Sequence, residues 1–430
     1  MKQLFTFLFA LAASLTLSAQ ETIIEHVQIG DLYYNLDTES HTASVTWDKY
    51  IDTLNYHGLK QAIIPASVTY EEQVYPVTAV DDNAFGQCDS LVTIRIPDGV
   101  TKIGHSGFRQ SLLIDTVVIP NSVTEIGDYA FCLCYDMRSL TIGTGVKTIG
   151  EDAFYTCANL PELIIPDNVE SIGMSAFADL RTATRIVIGS GVRHLGNRAF
   201  QDCNALTAFE VSAANEHYCT VDGVLLTMAQ DSLLQCPGSK SGEFAVPASV
   251  KVIADAAFNS NSSLTSVSIP EGVEYIGVVA FSQCTALTGI VIPNSVTTLG
   301  ESVFSACTAL TSVTIGSGVT EIPGLAFLKC TSLNEVINYA TTPQTLSQYP
   351  FLMVNQAACT LYVPEESVEA YRTADTWKNF GSIKPIPATG VENNGEWLMV
   401  NGESRKMIKD GKVLILKDGK TYSVNGAEVR

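Results

Sequence analysis

The 430-residue chain carries eleven cysteines, six histidines and 45 acidic residues, enough for disulfides, metal sites or nucleophilic catalysis. Spacing decides which of these is open. Seven cysteines (Cys88, Cys134, Cys157, Cys203, Cys284, Cys307 and Cys330) each stand three residues after a phenylalanine. Ser111, Leu180 and Asn261 take that place after three further phenylalanines. A side chain fixed at one point of every repeat builds an internal ladder. One reading is a column of small buried hydrophobes. The other is disulfides between neighbouring repeats, although parallel, in-register side chains suit the bond geometry poorly. Metal binding needs ligands converging on one point, and a ladder spreads them out. Cys219 and Cys236 lie off the ladder, where they could meet across an inserted hairpin; Cys132 and Cys359 have no evident partner.

The other chemistry-bearing residues form no motif. His26, His41, His57, His105, His194 and His217 are scattered, without zinc-ligand spacing, and read as surface residues. Asp81-Asp82 and Glu151-Asp152 read as solvated acids at turns. Asp410-Gly411 and Asp418-Gly419 read as hairpin turns before calcium ligands. Phosphate-binding glycine loops and nucleophile-elbow serines are missing from the sequence. The expectation is a chain with no catalytic residue, metal or cofactor.

The elements behind the ladder repeat with a fixed period. Phe85, Phe108, Phe131, Phe154, Phe177 and Phe200 are 23 residues apart, and Phe258, Phe281, Phe304 and Phe327 resume the same step. Between Phe200 and Phe258 the gap is 58 residues, one repeat plus 35. Such a period predicts stacked coils. Within a coil, Ile94 and Ile96 flank Arg95, a short strand with one buried face. Pro97 ends it, as Pro120, Pro166, Pro270 and Pro293 do elsewhere, and Gly143, Gly189 and Gly316 take the same place in other coils. Val100 and Ile103 then point inward, Gly104 turns the chain, and Phe108 fills the wide end of the coil. One coil cannot bury its apolar side alone, so the array folds by stacking.

The repeat resembles the BspA-like leucine-rich repeats of bacterial surface proteins. The matching unit is Ile-Gly-x-x-Ala-Phe-x-x-Cys-x-x-Leu-x-x-Val-x-Ile-Pro, as in Ile149 to Pro166, with Asn159-Leu160-Pro161 and Leu163 at the variable end. The resemblance implies a right-handed, β-rich leucine-rich-repeat solenoid, a horseshoe of 23-residue coils, in a surface protein of Bacteroidetes-type bacteria. It also implies an N-terminal capping hairpin over 21–60, the repeat array over 61–338 with an inserted hairpin over 212–245, and a C-terminal cap over 339–387. Caps are needed because end coils would otherwise expose core and open strand edges. Residues 388–430 read as a linker and a small β module. It ends either as a sorting signal for outer-surface export or as an accessory hairpin with no sorting role.

Composition narrows the function classes. Residues 1–20 read as a secretory signal: Lys2, an apolar run of fourteen residues from Leu4 to Leu17, then the small residues Ser18 and Ala19. Export to the outer surface or the medium follows, with no membrane-spanning segment. The net charge of −20 disfavours nucleic acid and anionic lipid as partners. What remains is the outward strand face, whose central positions are Arg95, Val118, Thr141, Ile164, Val187, Glu210, Ser268, Val291 and Thr314, followed by Ile337. This face is rich in β-branched residues, chosen either for contact with extracellular or host proteins or merely for strand propensity. Adhesion is the first functional reading. Glycan capture is the second: the outward row lacks aromatic platforms, but Tyr33, Tyr34, Trp47 and Tyr50 lie near the N-terminus. Packing into a surface layer is the third.

Overall fold

A computed structural model describes residues 22–47 and 56–387, and the strands Trp397–Val400, Ser404–Lys409, Lys412–Lys417 and Lys420–Ser423. The expected signal segment, Tyr50, the linker, both Asp-Gly turns of the C-terminal module and its last residues lie outside the described residues. The chain divides into two units, Met1–Pro385 and Ile386–Arg430.

The larger unit is a β-solenoid. Its N-terminal end is a meander of β1 (Ile23–Ile29), β2 (Leu32–Asp37) and β3 (Thr42–Thr46), paired antiparallel. Next come β4 (Gln61–Ile63) and the antiparallel pair β5 (Ser67–Tyr70) and β6 (Gln73–Val80). Strand β3 pairs parallel with β6, which pairs parallel with Lys102–Ile103, so the meander joins the array through backbone hydrogen bonds.

Each coil contributes two strands. One row of short strands runs from Lys102–Ile103 to His194–Leu195. The other forms the outward face: four strands from β4 to Ser139–Thr141, three from Glu162–Ile165 to Ala208–Val211, and seven from Gly242–Ala245 to Ser382–Pro385. Pairing within these groups is parallel and offset by one repeat, as in Ile164↔Val187 and Val291↔Thr314.

The interior is built as the period predicts. Val100, Ile103 and Phe108 are completely buried. Successive phenylalanine rings stack, for example Phe131 on Phe154 at 5.2 Å and 5°. Offset stacking at this spacing is the favoured arrangement of aromatic quadrupoles. Two ends of the column carry no sequence period: Tyr56 stacks on Phe85 at 5.1 Å, and Phe351 on Phe327 at 5.4 Å. Trp377 and Phe380 then close Phe351 edge-on.

Gly104 acts differently from the expectation. Its φ is not positive; a Cβ there would lie 2.6 Å from the amide nitrogen of Asp82 on the preceding coil. Gly127 and Gly150 are equally tight against their predecessors. Close coil-to-coil approach, not turning, selects glycine here.

The insertion is a three-stranded meander, Tyr218–Val221, Val224–Thr227 and Ser232–Gln235. Its third strand rejoins the array by pairing parallel with Val252–Ile253. The smaller unit is an antiparallel meander of its four described strands.

Candidate functional site: the outward strand face

The face is set by alternation along each strand. In Glu162–Ile165, Leu163 and Ile165 are buried while Glu162 and Ile164 are exposed. The sequence-named positions fall into one outward row. Arg95, Val118, Thr141, Ile164, Glu210 and Ser268 are exposed; Val187, Val291, Thr314 and Ile337 are half-buried. Val118 is 55% and Ile164 50% exposed, high for aliphatic side chains flanked by ordered neighbours. The register adds residues that the period does not reveal. Ile63 pairs with Arg95, Ala245 with Ser268, and Tyr362 with Ile337. Ile63 is 49% exposed, so the apolar row begins one strand earlier than the phenylalanine count places it. Tyr362 puts one aromatic ring into a row that the repeats alone leave without any.

Strand pairing divides the row between Thr141 and Ile164, and the insertion divides it again between Glu210 and Ala245. Charge gathers in the middle segment. The Arg185 guanidinium donates two hydrogen bonds of 2.8 Å to Glu210 and lies 3.5 Å from Glu162. These bonds hold the Glu210 carboxyl below its ordinary pKa. The three side chains satisfy one another across three strands.

Other candidate residues are placed otherwise than the sequence suggests. Cys219 and Cys236 do not form a disulfide; the Cys219 thiol donates to the Thr227 carbonyl at 3.3 Å, and Cys236 is buried. The ladder thiols are more than small hydrophobes. Cys134, Cys157, Cys203, Cys284, Cys307 and Cys330 each donate to the carbonyl of the phenylalanine one coil back, at 3.1–3.5 Å. Ser111 makes the same bond at 2.7 Å, which explains its place in the series.

Asp81 is not a solvated turn acid. Asn35 and Ser44 of the meander each donate to it at 2.8 Å, and burial pushes its pKa up. Asp82 and Asp128 accept the backbone N–H of His105 and Glu151, one coil on. Tyr33 and Tyr34 are buried and offer no platform to a sugar; Trp47 is exposed, with His26 against its edge at 4.5 Å. Among the described residues no group of three His, Cys, Asp or Glu side chains could hold a metal ion.

The profile described as BspA type Leucine rich repeat region matches six copies, over residues 78–207 and 236–356, more than half of the chain. The chain belongs to this family. Comparison with curated proteins gives no match. Among solved structures, the BspA-type chain is similar to a leucine rich cell surface protein of Faecalibacterium prausnitzii A2-165, with TM-score 0.59 and 23% identity over 84% of this chain and 95% of that one. It is similar to the pneumococcal vaccine antigen PcpA, with TM-score 0.60 and 20% identity over 84% and 98%. A leucine-rich repeat protein of Eubacterium ventriosum gives TM-score 0.59 and 21% identity over 86% and 98%. At these identities the likeness speaks for the fold. Among the described residues no helix is long and apolar enough to cross a membrane.

Proposed function

We propose that this BspA-type protein is exported and acts at the cell surface as a binding protein, gripping extracellular or host proteins with its outward strand face. The observation that carries this reading is the set of exposed aliphatic side chains along the outward row, Ile63 and Val118 on one group of parallel strands and Ile164 on the next. Strand propensity accounts for β-branched residues on a sheet, but exposing them in a row invites a partner that removes them from water. A rigid row also loses little conformational entropy on binding. A protein contact of standard size buries about 800 Å² on each partner, which several adjacent strands can supply. A leucine rich cell surface protein of Faecalibacterium prausnitzii and a pneumococcal vaccine antigen share this fold, which supports a surface role. The reading is of binding, not catalysis.

The test is binding of the full chain to immobilised extracellular-matrix proteins and to a glycan array. Saturable binding to a protein, lost when Thr141, Ile164 and Val187 are replaced by lysine, is the expected outcome. Binding to glycans alone would favour carbohydrate capture, and ordered self-assembly without any ligand would favour a surface layer; either defeats adhesion through this face.

A further inference from the structure

The phenylalanine turns form a ladder of their own. In each, the residue two before the phenylalanine and the residue two after it have positive φ, such as Tyr129 at 59° and Leu133 at 63°. This aims three alternate N–H groups along the array. Tyr129, Phe131 and Leu133 donate to the carbonyls of Glu151, Ala153 and Tyr155 on the next coil, at 2.7–2.8 Å. The last such step runs from Leu325, Phe327 and Lys329 to Gln348, Pro350 and Leu352.

The final turn keeps the same geometry, with Tyr349 at φ 54° and Met353 at 66°. Among the described residues, the N–H groups of Tyr349, Phe351 and Met353 have no acceptor. Trp377 and Phe380 cover the Phe351 ring. The outer side chains of the turn stay uncovered: Tyr349 is 63%, Met353 59% and Leu352 44% exposed. The N–H groups of Arg198, Phe200 and Asp202 also lack acceptors where the insertion interrupts the array, but there Asn259 bridges to Asp202 at 2.7 Å, and no large apolar side chain is exposed on the turn.

We propose that the Tyr349–Met353 turn is a second docking edge, which takes a polypeptide segment of another protein. The occupant continues the coil-to-coil interface already present in the array. It presents carbonyls from alternate residues, as Gln348, Pro350 and Leu352 do for the preceding coil, and lays apolar side chains against Tyr349, Leu352 and Met353. This is the hydrogen-bonding logic of strand addition, with the main chain supplying affinity and flanking side chains supplying selectivity. A second copy docking symmetrically would set N–H against N–H, because an isologous contact presents the same surface from both sides.

The test uses the full chain and the blocked hexapeptide acetyl-Val-Thr-Leu-Thr-Val-Thr-amide as probe, read by amide hydrogen exchange. Slowed exchange at Tyr349, Phe351 and Met353 is expected. The pair Leu352→Lys and Met353→Lys, both at exposed positions, should weaken the peptide at least tenfold without moving Tm. Lysines at Thr141, Ile164 and Val187 should leave peptide binding unchanged, which separates this edge from the strand face. Unchanged exchange at the three amides in millimolar peptide would overturn the proposal. So would self-association of the chain that the same lysine pair abolishes, since the occupant would then be a second copy.

Discussion

At the scale of single residues, the ladder thiols are the most consequential feature. Each is sealed between coils, and all but Cys88 donate to a phenylalanine carbonyl one coil back; burial disfavours the thiolate and pushes Cys88, Cys203 and Cys330 up to about 12. A thiol raised in this way supports the fold fully below its unfolded pKa, near 8.5, and that support is lost as pH rises toward the folded value. Within that window each pH unit removes about 1.4 kcal/mol per thiol. Stability against guanidinium should therefore be steady from pH 6 to 8 and fall steeply from pH 9. Replacing Cys203 and Cys330 by serine, as Ser111 already does in one coil, should flatten that decline; an unchanged slope would show that the thiols do not set it. The same burial predicts that native protein reacts with a thiol reagent chiefly at half-exposed Cys219, and that all eleven cysteines react once it is denatured.

At the scale of the element, one coil must accept the next at backbone contact. Gly150 shows the constraint: a Cβ there would lie 2.5 Å from the Asp128 amide nitrogen, and backbone cannot step aside as a side-chain tip can. Gly150→Ala should destabilise the array by about 1–3 kcal/mol, with amide exchange rising first in the coils on either side. A loss below about 0.5 kcal/mol would mean that the coils slide freely. Such positions are legible in the sequence because every coil reuses them, and so are Phe131, Ile149 and the outward row. Residues used once are not. Tyr56, Phe351 and Trp377 close the aromatic column without sharing its spacing. Asp81 occupies the place that glycine holds in the next coil, and only the fold shows that Asn35 and Ser44 come down upon it. The first strand of the insertion is equally silent, since Tyr218–Val221 carries no hydrophobic alternation of the repeat type.

At the scale of the whole array, the insertion does more than interrupt the face. The buried interior separates into two clusters, one ending at Phe209, Tyr218 and Leu225, the other beginning at Val224 and Leu226. Adjacent residues of one strand thus belong to different cores, because side chains of a strand alternate between its two faces. The strand Val224–Thr227 is a septum, with Val224, Leu225 and Leu226 all fully buried. In a solenoid, stability is a sum of coils and nearest-neighbour contacts, so a septum is where cooperativity is weakest. Phe304→Ala removes a ring from the second cluster alone, at a cost of about 3–5 kcal/mol. That loss should split denaturant unfolding into two transitions, the first releasing amides of residues 242–385 while residues 61–211 stay protected. One transition, with exchange rising together on both sides of the septum, would show that Leu225 and its neighbours weld the halves into a single cooperative unit.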